Sequence, residues 1–165
     1  MAGKSLERFR RAQDQPGAGF HEALEEVRAG RKQGHWIWYV LPQLEGLGSS
    51  SMSQAYGIRG EEEAREYLND PELLSRLIEI TEAIAGRLEG GSGVPLERLM
   101  GSHTDVLKLV SSLTLFSRVA ARLHASGGHA GHARLAALAA DVLKVAESAG
   151  YQTCGATLER LETTR

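Results

Sequence analysis

Apolar residues recur at helical spacing along almost the whole chain. Leu6 and Phe9 open a short basic amphipathic segment that closes near Pro16, and Phe20, Leu24 and Val27 follow at i, i+4, i+7. Gly30 stands where a left-handed cap ends that helix. Asp70 before Pro71 reads as the N-cap and first helical position of a segment that Leu74, Leu77, Ile78, Ile84 and Leu88 carry toward Gly90. Ser102, with Asp105 three residues on, opens another helix reaching about His124. Ala130–Ala149 is an alanine-rich helix closed by Gly150, and Leu158 and Leu161 mark a last turn or two. Shorter helices are expected from Ser51 or Ser53 through Tyr56 and over Glu61–Leu68. Only the stretch from Arg31 to Ser51 breaks the period. There Gly34, Pro42, Gly46 and Gly48 interrupt the apolar run Trp36–Leu41, which predicts a helical turn or short extended piece and then a structured loop. No strand pairs alternate at period two. The expected fold is all-α, a single compact globular domain of about seven to nine helices over residues 1–165, with flexible loops at 90–93 and 124–132.

Composition narrows the setting more than the activity. A chain of 165 residues with 42% hydrophobic and 24% charged residues can bury a core and is not disordered. No apolar run approaches the roughly 18–20 residues a membrane helix needs, so no membrane association is expected. Lys plus Arg number 19 against 21 Asp plus Glu, so general nucleic-acid binding is not expected either. Cys154 is the only cysteine; it excludes an internal disulfide and reads as a core residue. The segment Met1–Arg8 lacks the apolar stretch of a signal peptide, which makes a cytoplasmic location the expectation. Of nine aromatic residues, four (Trp36, Trp38, Tyr39 and Tyr56) fall between positions 36 and 56.

That aromatic cluster adjoins Arg28, Arg31, Lys32 and His35. Guanidinium and ammonium groups beside indoles suit a phosphorylated ligand: cations take the phosphate and a ring stacks on a base. The same residues also serve a helix C-terminus, whose dipole favours cations, with the indoles filling the core. Gly46 and Gly48 ahead of Ser51 can present backbone amides to an anion, or can form an ordinary capped turn. Helical phasing supplies a second polar group. Leu109, Val110, Leu113, Phe116 and Ala120 make one apolar sector, and Asp105, Lys108 and Ser112 line up beside it before the stripe turns apolar at Leu115 and Val119. His124, His129 and His132 lie close in sequence, but the Gly/Ser-rich segment around them reads as a loop; no metal site is expected.

Together the motifs Ala23-Leu24-x-Glu26-x-Arg28-x-Gly30-Arg31-Lys32-x-x-His35-Trp36-x-Trp38, Leu41-Pro42-Gln43-x-x-Gly46-Leu47-Gly48-x-Ser50, Tyr56-Gly57-Ile58 and Asp105-x-x-Lys108-Leu109-x-Ser111-Ser112-Leu113-Thr114-Leu115-Phe116 are distinctive. They resemble an uncharacterised bacterial domain-of-unknown-function family, the "eighteen-ten" family, over roughly residues 5–161. Some members carry a calpastatin label, which a globular pattern does not fit. The resemblance implies a compact helical domain and no established activity. The Trp-rich and Asp105-x-x-Lys108 segments are also faintly similar to the helical NADAR family, which processes ADP-ribose-linked substrates.

These readings lead to a pocket for a nucleotide or ADP-ribose-like ligand, with N-glycosidic hydrolysis as the reaction if it is an enzyme. In that expectation His35, Asp105 and Lys108 supply proton transfer and charge, and Arg31 and Lys32 meet phosphate. Trp36 or Trp38 stacks, Gln43 and Tyr56 orient polar groups, and Ser111 and Ser112 complete the polar face. A phosphorylated small molecule is the expected partner, with no cofactor and no metal. The alternative is a protein-interaction module using the Trp36/Trp38 segment as a surface hot spot.

Overall fold

A computed structural model describes residues 2–88 and 93–163. Among the described residues the chain forms ten helices and no strand: α1 (Ala2–Asp14), α2 (Phe20–Arg28), α3 (Ile37–Val40), α4 (Ser51–Tyr56), α5 (Glu61–Asn69), α6 (Pro71–Leu88), α7 (Leu96–Met100), α8 (His103–Ala125), α9 (Ala130–Ser148) and α10 (Gly155–Thr163). The all-α reading holds, with one helix more than its upper count. The addition is the short α7, which hydrophobic periodicity is too coarse to resolve, while α3 is the helical turn expected within Trp36–Leu41. Of the loop expected at 90–93, all but Gly93 lies outside the described residues. The one expected at 124–132 is mostly helix ends, since α8 runs through Ala125 and α9 begins at Ala130.

The local start and stop signals act as their chemistry dictates. Asp70 Oδ1 accepts the Leu73 amide at 2.9 Å and Ser102 Oγ accepts the Asp105 amide at 3.1 Å, so each satisfies a first-turn donor that lacks a helical partner. Gly30 adopts φ +88°, the left-handed conformation that closes α2.

Helix α8 is the spine. It packs against α9, α5, α7, α10 and α3, while α6 lies on α9 and α2 on α6. Twelve of its 23 residues are buried, including Leu109, Leu113, Phe116 and Val119, as a helix surrounded by others requires. The aromatic side chains join the N-terminal helices to this spine. Phe9 meets Tyr67 edge-on at 5.3 Å between centroids, and Tyr67 in turn meets Phe116 at 5.0 Å. The acidic start of α5 also reaches outward. The buried Glu63 accepts Arg8 Nη2 at 2.7 Å, and Glu61 pairs with Arg122 of α8. His129 caps α9 by accepting the Gly131 amide at 3.1 Å, and the buried His132 engages the Leu68 carbonyl through Nε2 at 2.9 Å. Among the described residues no helix is long and apolar enough to cross a membrane.

Candidate functional site

The loop between α3 and α4 is pinned by a single parallel bridge. Ile58 donates its amide to the Gln43 carbonyl at 2.8 Å, and Glu45 donates to the Ile58 carbonyl at 2.9 Å. Gly48 then passes so close to α4 that a Cβ there would lie 2.5 Å from the Ser53 hydroxyl, which is why the position takes glycine. Ser50, not Ser51 or Ser53, caps α4, accepting the Ser53 amide at 3.1 Å.

This pinned loop forms one wall of an open cleft of about 410 Å³. Gln43, Leu47, Gly48 and Ser53 face Thr104, Leu107, Lys108, Val110 and Ser111 of α8, and Gln152 and Cys154 close the end. A slot of about 10 Å³, room for roughly one water, continues from it between Trp38, Met52 and Tyr56. Gln43, Ser53 and Lys108 line both spaces.

Lys108 belongs to a three-charge cluster. Asp105 Oδ2 pairs with Lys32 Nζ at 2.7 Å, while its Oδ1 is 3.5 Å from Lys108 Nζ. Lys32 is the buried partner, its side chain only 5% exposed. Its ammonium also donates to the Gly34 carbonyl at 2.5 Å and sits 5.0 Å from the Trp36 ring centroid. Lys108 is 4.5 Å from the centroid of Trp38, whose ring is also stacked by His35 at 6.5 Å. The carboxylate behind the cluster is Glu26. Its Oε1 accepts the Gln33 amide at 2.7 Å, the Gly34 amide at 2.8 Å and the Trp36 indole N–H at 3.0 Å. Burial pushes this carboxyl up, but those three donors and the Lys32 charge outweigh it and hold the group below its ordinary value.

Cys154 stands at the start of α10, where its carbonyl accepts the Leu158 amide at 3.2 Å and its Sγ accepts Thr157 Oγ1 at 3.1 Å. Burial raises the thiol's pKa, and the hydroxyls of Ser111 and Thr157 with the amides of Thr157 and Ala156 lower it further than burial lifts it.

Of the residues expected at a site, Gln43, Lys108 and Ser111 line the cleft, and Trp38 and Tyr56 line the slot. Lys32 and Asp105 stand behind Lys108 through the ion pairs. Trp36 and Ser112 are fully buried and off the cleft wall. Trp36 turns inward because its N–H is tied to Glu26, and Ser112 because α8 is covered on that side by its neighbours. Arg31 and His35 are exposed, and neither borders the cleft. Sequence reasoning missed Leu47, Ser53, Leu107 and Cys154. Only Leu107 carried a local signal, an apolar residue outside the buried sector of α8.

Fold and cleft define a single-domain helical protein with an open cleft between its spine and a pinned loop. The chain belongs to the family described as protein of unknown function (DUF1810), whose model matches residues 3–126. Cys154 and Gln152 lie beyond that match, and the Lys108 side of the cleft lies within it. Among solved structures, the chain is similar to the conserved hypothetical protein Rv1873 from Mycobacterium tuberculosis. Identity is 41% over 80% of this chain and 84% of that one, with a TM-score of 0.64. No curated protein matches the chain.

Proposed function

We propose that this protein binds a phosphorylated small molecule of mononucleotide size in the cleft, with the phosphate at Lys108. The observation that carries this reading is the uneven sharing of Asp105. Two lysines meet one carboxylate, Lys32 holds it at 2.7 Å, and Lys108 stands off at 3.5 Å on the cleft wall. Among these three groups one positive charge is left over, Glu26 lies behind Lys32 off the cleft wall, and the cation on that wall is Lys108. The N-terminal end of α10 opens on the same cleft at Cys154 and adds a favourable dipole. Leu47 and Leu107 give the rest of the ligand an apolar resting place. Leu107 is 47% exposed, so its side chain is open to a ligand in the cleft.

The volume lies low in the range of roughly 300–1,000 Å³ typical of small-molecule pockets, which suits a mononucleotide better than a whole ADP-ribose. Hydrolysis of an N-glycosidic bond needs a carboxylate or another base at the sugar. Among the described residues no carboxylate lines the cleft, and Asp105 is committed to its lysines. Binding is the supported half of the expectation. The hot-spot alternative needs exposed indoles, whereas Trp36 is buried and Trp38 is half-buried against the core.

Calorimetry with AMP, ribose 5-phosphate, inorganic phosphate, ADP-ribose, NAD and adenosine tests the proposal. AMP should bind, adenosine should not, and Lys108→Gln should weaken AMP about tenfold or more. Leu107→Ser should weaken AMP and leave phosphate unchanged. Absence of binding by every phosphorylated probe at millimolar concentration overturns the proposal.

A further inference from the structure

We infer that Glu26 is the positioning residue of this anion site: it fixes the 33–36 turn so that Lys32 stays on Asp105 and Lys108 is held to it only by the longer contact. The inference rests on the ligand reading above and concerns a residue that never touches the cleft. One oxygen of Glu26 gathers three N–H donors, from Gln33, Gly34 and the Trp36 indole. The approach is close enough that a Cβ on Gly34 would lie 3.2 Å from the other carboxylate oxygen and 3.1 Å from the Trp36 ring. With the turn held, the Gly34 carbonyl faces back onto Lys32 Nζ at 2.5 Å. The Lys32 backbone is fixed separately, its amide donating to the Leu99 carbonyl at 2.7 Å. Anchored at both ends, the ammonium has one further partner within reach, Asp105 Oδ2 at 2.7 Å.

The consequence for Lys108 follows from charge. With Lys32 in place, Asp105 is neutralised from behind and its contact with Lys108 is long. With the turn released, Lys32 gains freedom, Asp105 needs a counter-ion, and Lys108 is the cation one helical turn away. Lys108 then spends its charge within the protein, and the cleft loses its attraction for phosphate. Glu26 thus acts through Gly34, Lys32 and Asp105 in series.

A negative group acting only through its field predicts the opposite sign. Removing a carboxylate from the neighbourhood of a cationic site raises anion affinity. A merely structural Glu26 predicts a change in thermal stability with no change in affinity. Glu26→Gln and Glu26→Asp separate these cases, because the first removes the charge and the second keeps it on a shorter arm. Affinity for inorganic phosphate and AMP is measured by calorimetry, with a thermal melt of each variant as a check on folding. Both variants should bind about fivefold more weakly, and Glu26→Gln added to Lys32→Met should weaken binding no further than Lys32→Met alone. Should Glu26→Gln not fold, Glu26→Asp carries the test. Unchanged or tighter binding by Glu26→Gln, or wild-type affinity in Glu26→Asp, overturns the inference and leaves the ligand reading standing. A wild-type protein that binds neither probe overturns both.

Discussion

Lys32 is the most constrained ionised group of the site. The Lys32 side chain is 5% exposed, and its ammonium meets a carboxylate at 2.7 Å and a carbonyl at 2.5 Å, the partners a buried polar group requires. Asp105→Asn removes the carboxylate and strands the charge. Breaking a buried pair from one side costs about 3 kcal/mol, which lowers Tm by about 6–12 °C at this chain length. Lys32→Met should cost less, since Asp105 keeps Lys108 as a partner. Thermal denaturation of the two variants checks the order, and equal losses would falsify the account. The same residues show what a sequence reveals at this scale. Asp105 and Lys108 were legible because i, i+3 spacing on a helix fixes who faces whom. Lys32 was legible as a cation near aromatics, but not as a buried one, because it lies in a loop and its partner is far along the chain on α8. Trp36 and Trp38 look alike in sequence. One is core because Glu26 takes its N–H, and the other borders the slot because Lys108 and His35 occupy its ring.

At the scale of elements, the site depends on how α8 begins. Thr104, Leu107, Lys108 and Ser111 all lie within its first nine residues, so the cleft wall is as firm as the first turns. Ser102 holds those turns by accepting the Asp105 amide. Ser102→Ala should therefore cost about 1 kcal/mol, read as a lower urea midpoint at unchanged slope. Ser102→Asp, another good cap, should restore the midpoint. A Ser102→Ala midpoint equal to wild type would show that α8 is fixed by packing alone. Caps of this kind are local, and for that reason the starts of α6 and α8 and the end of α2 could be read from Asp70, Ser102 and Gly30. The start of α10 is local too, yet Cys154 was read as core. Its placement depends on the contacts of Cys154 with Ser111 and Thr114 of α8, which only the folded chain creates. Helix α7 escaped because five residues hold barely more than one turn of pattern.

Taken whole, the molecule has a packed set of α8, α9 and α6 around the spine and an N-terminal layer that carries the loop side of the cleft, and acid should loosen the joint between them. Two carboxylates with lowered pKa act here, Glu26 within that layer and Asp70 across the joint. Glu26 holds the 33–36 turn, and Asp70 at the start of α6 pairs with Arg10 of α1. Burial pushes the Asp70 carboxyl up, but the Leu73 amide, the Arg10 guanidinium and the Glu72 amide bring it below its ordinary value of 3.8. Glu26 is likewise held below its ordinary 4.5. A carboxyl whose pKa is lower folded than unfolded binds more protons when unfolded, so its stabilisation is complete above the unfolded value. It is lost as pH falls through the folded one. Tm should accordingly stay level from pH 7 to about 5 and fall below the ordinary carboxyl values as the two groups protonate. Glu26→Gln and Asp70→Asn should each melt lower than wild type at pH 7 and show a shallower acid limb, and the double variant should be shallower still. Because both groups secure the N-terminal layer, near-ultraviolet circular dichroism from Trp36 and Trp38 should weaken before far-ultraviolet helicity does. An acid limb of the same steepness in wild type and both variants would assign the loss to other carboxylates and remove Glu26 and Asp70 from this role.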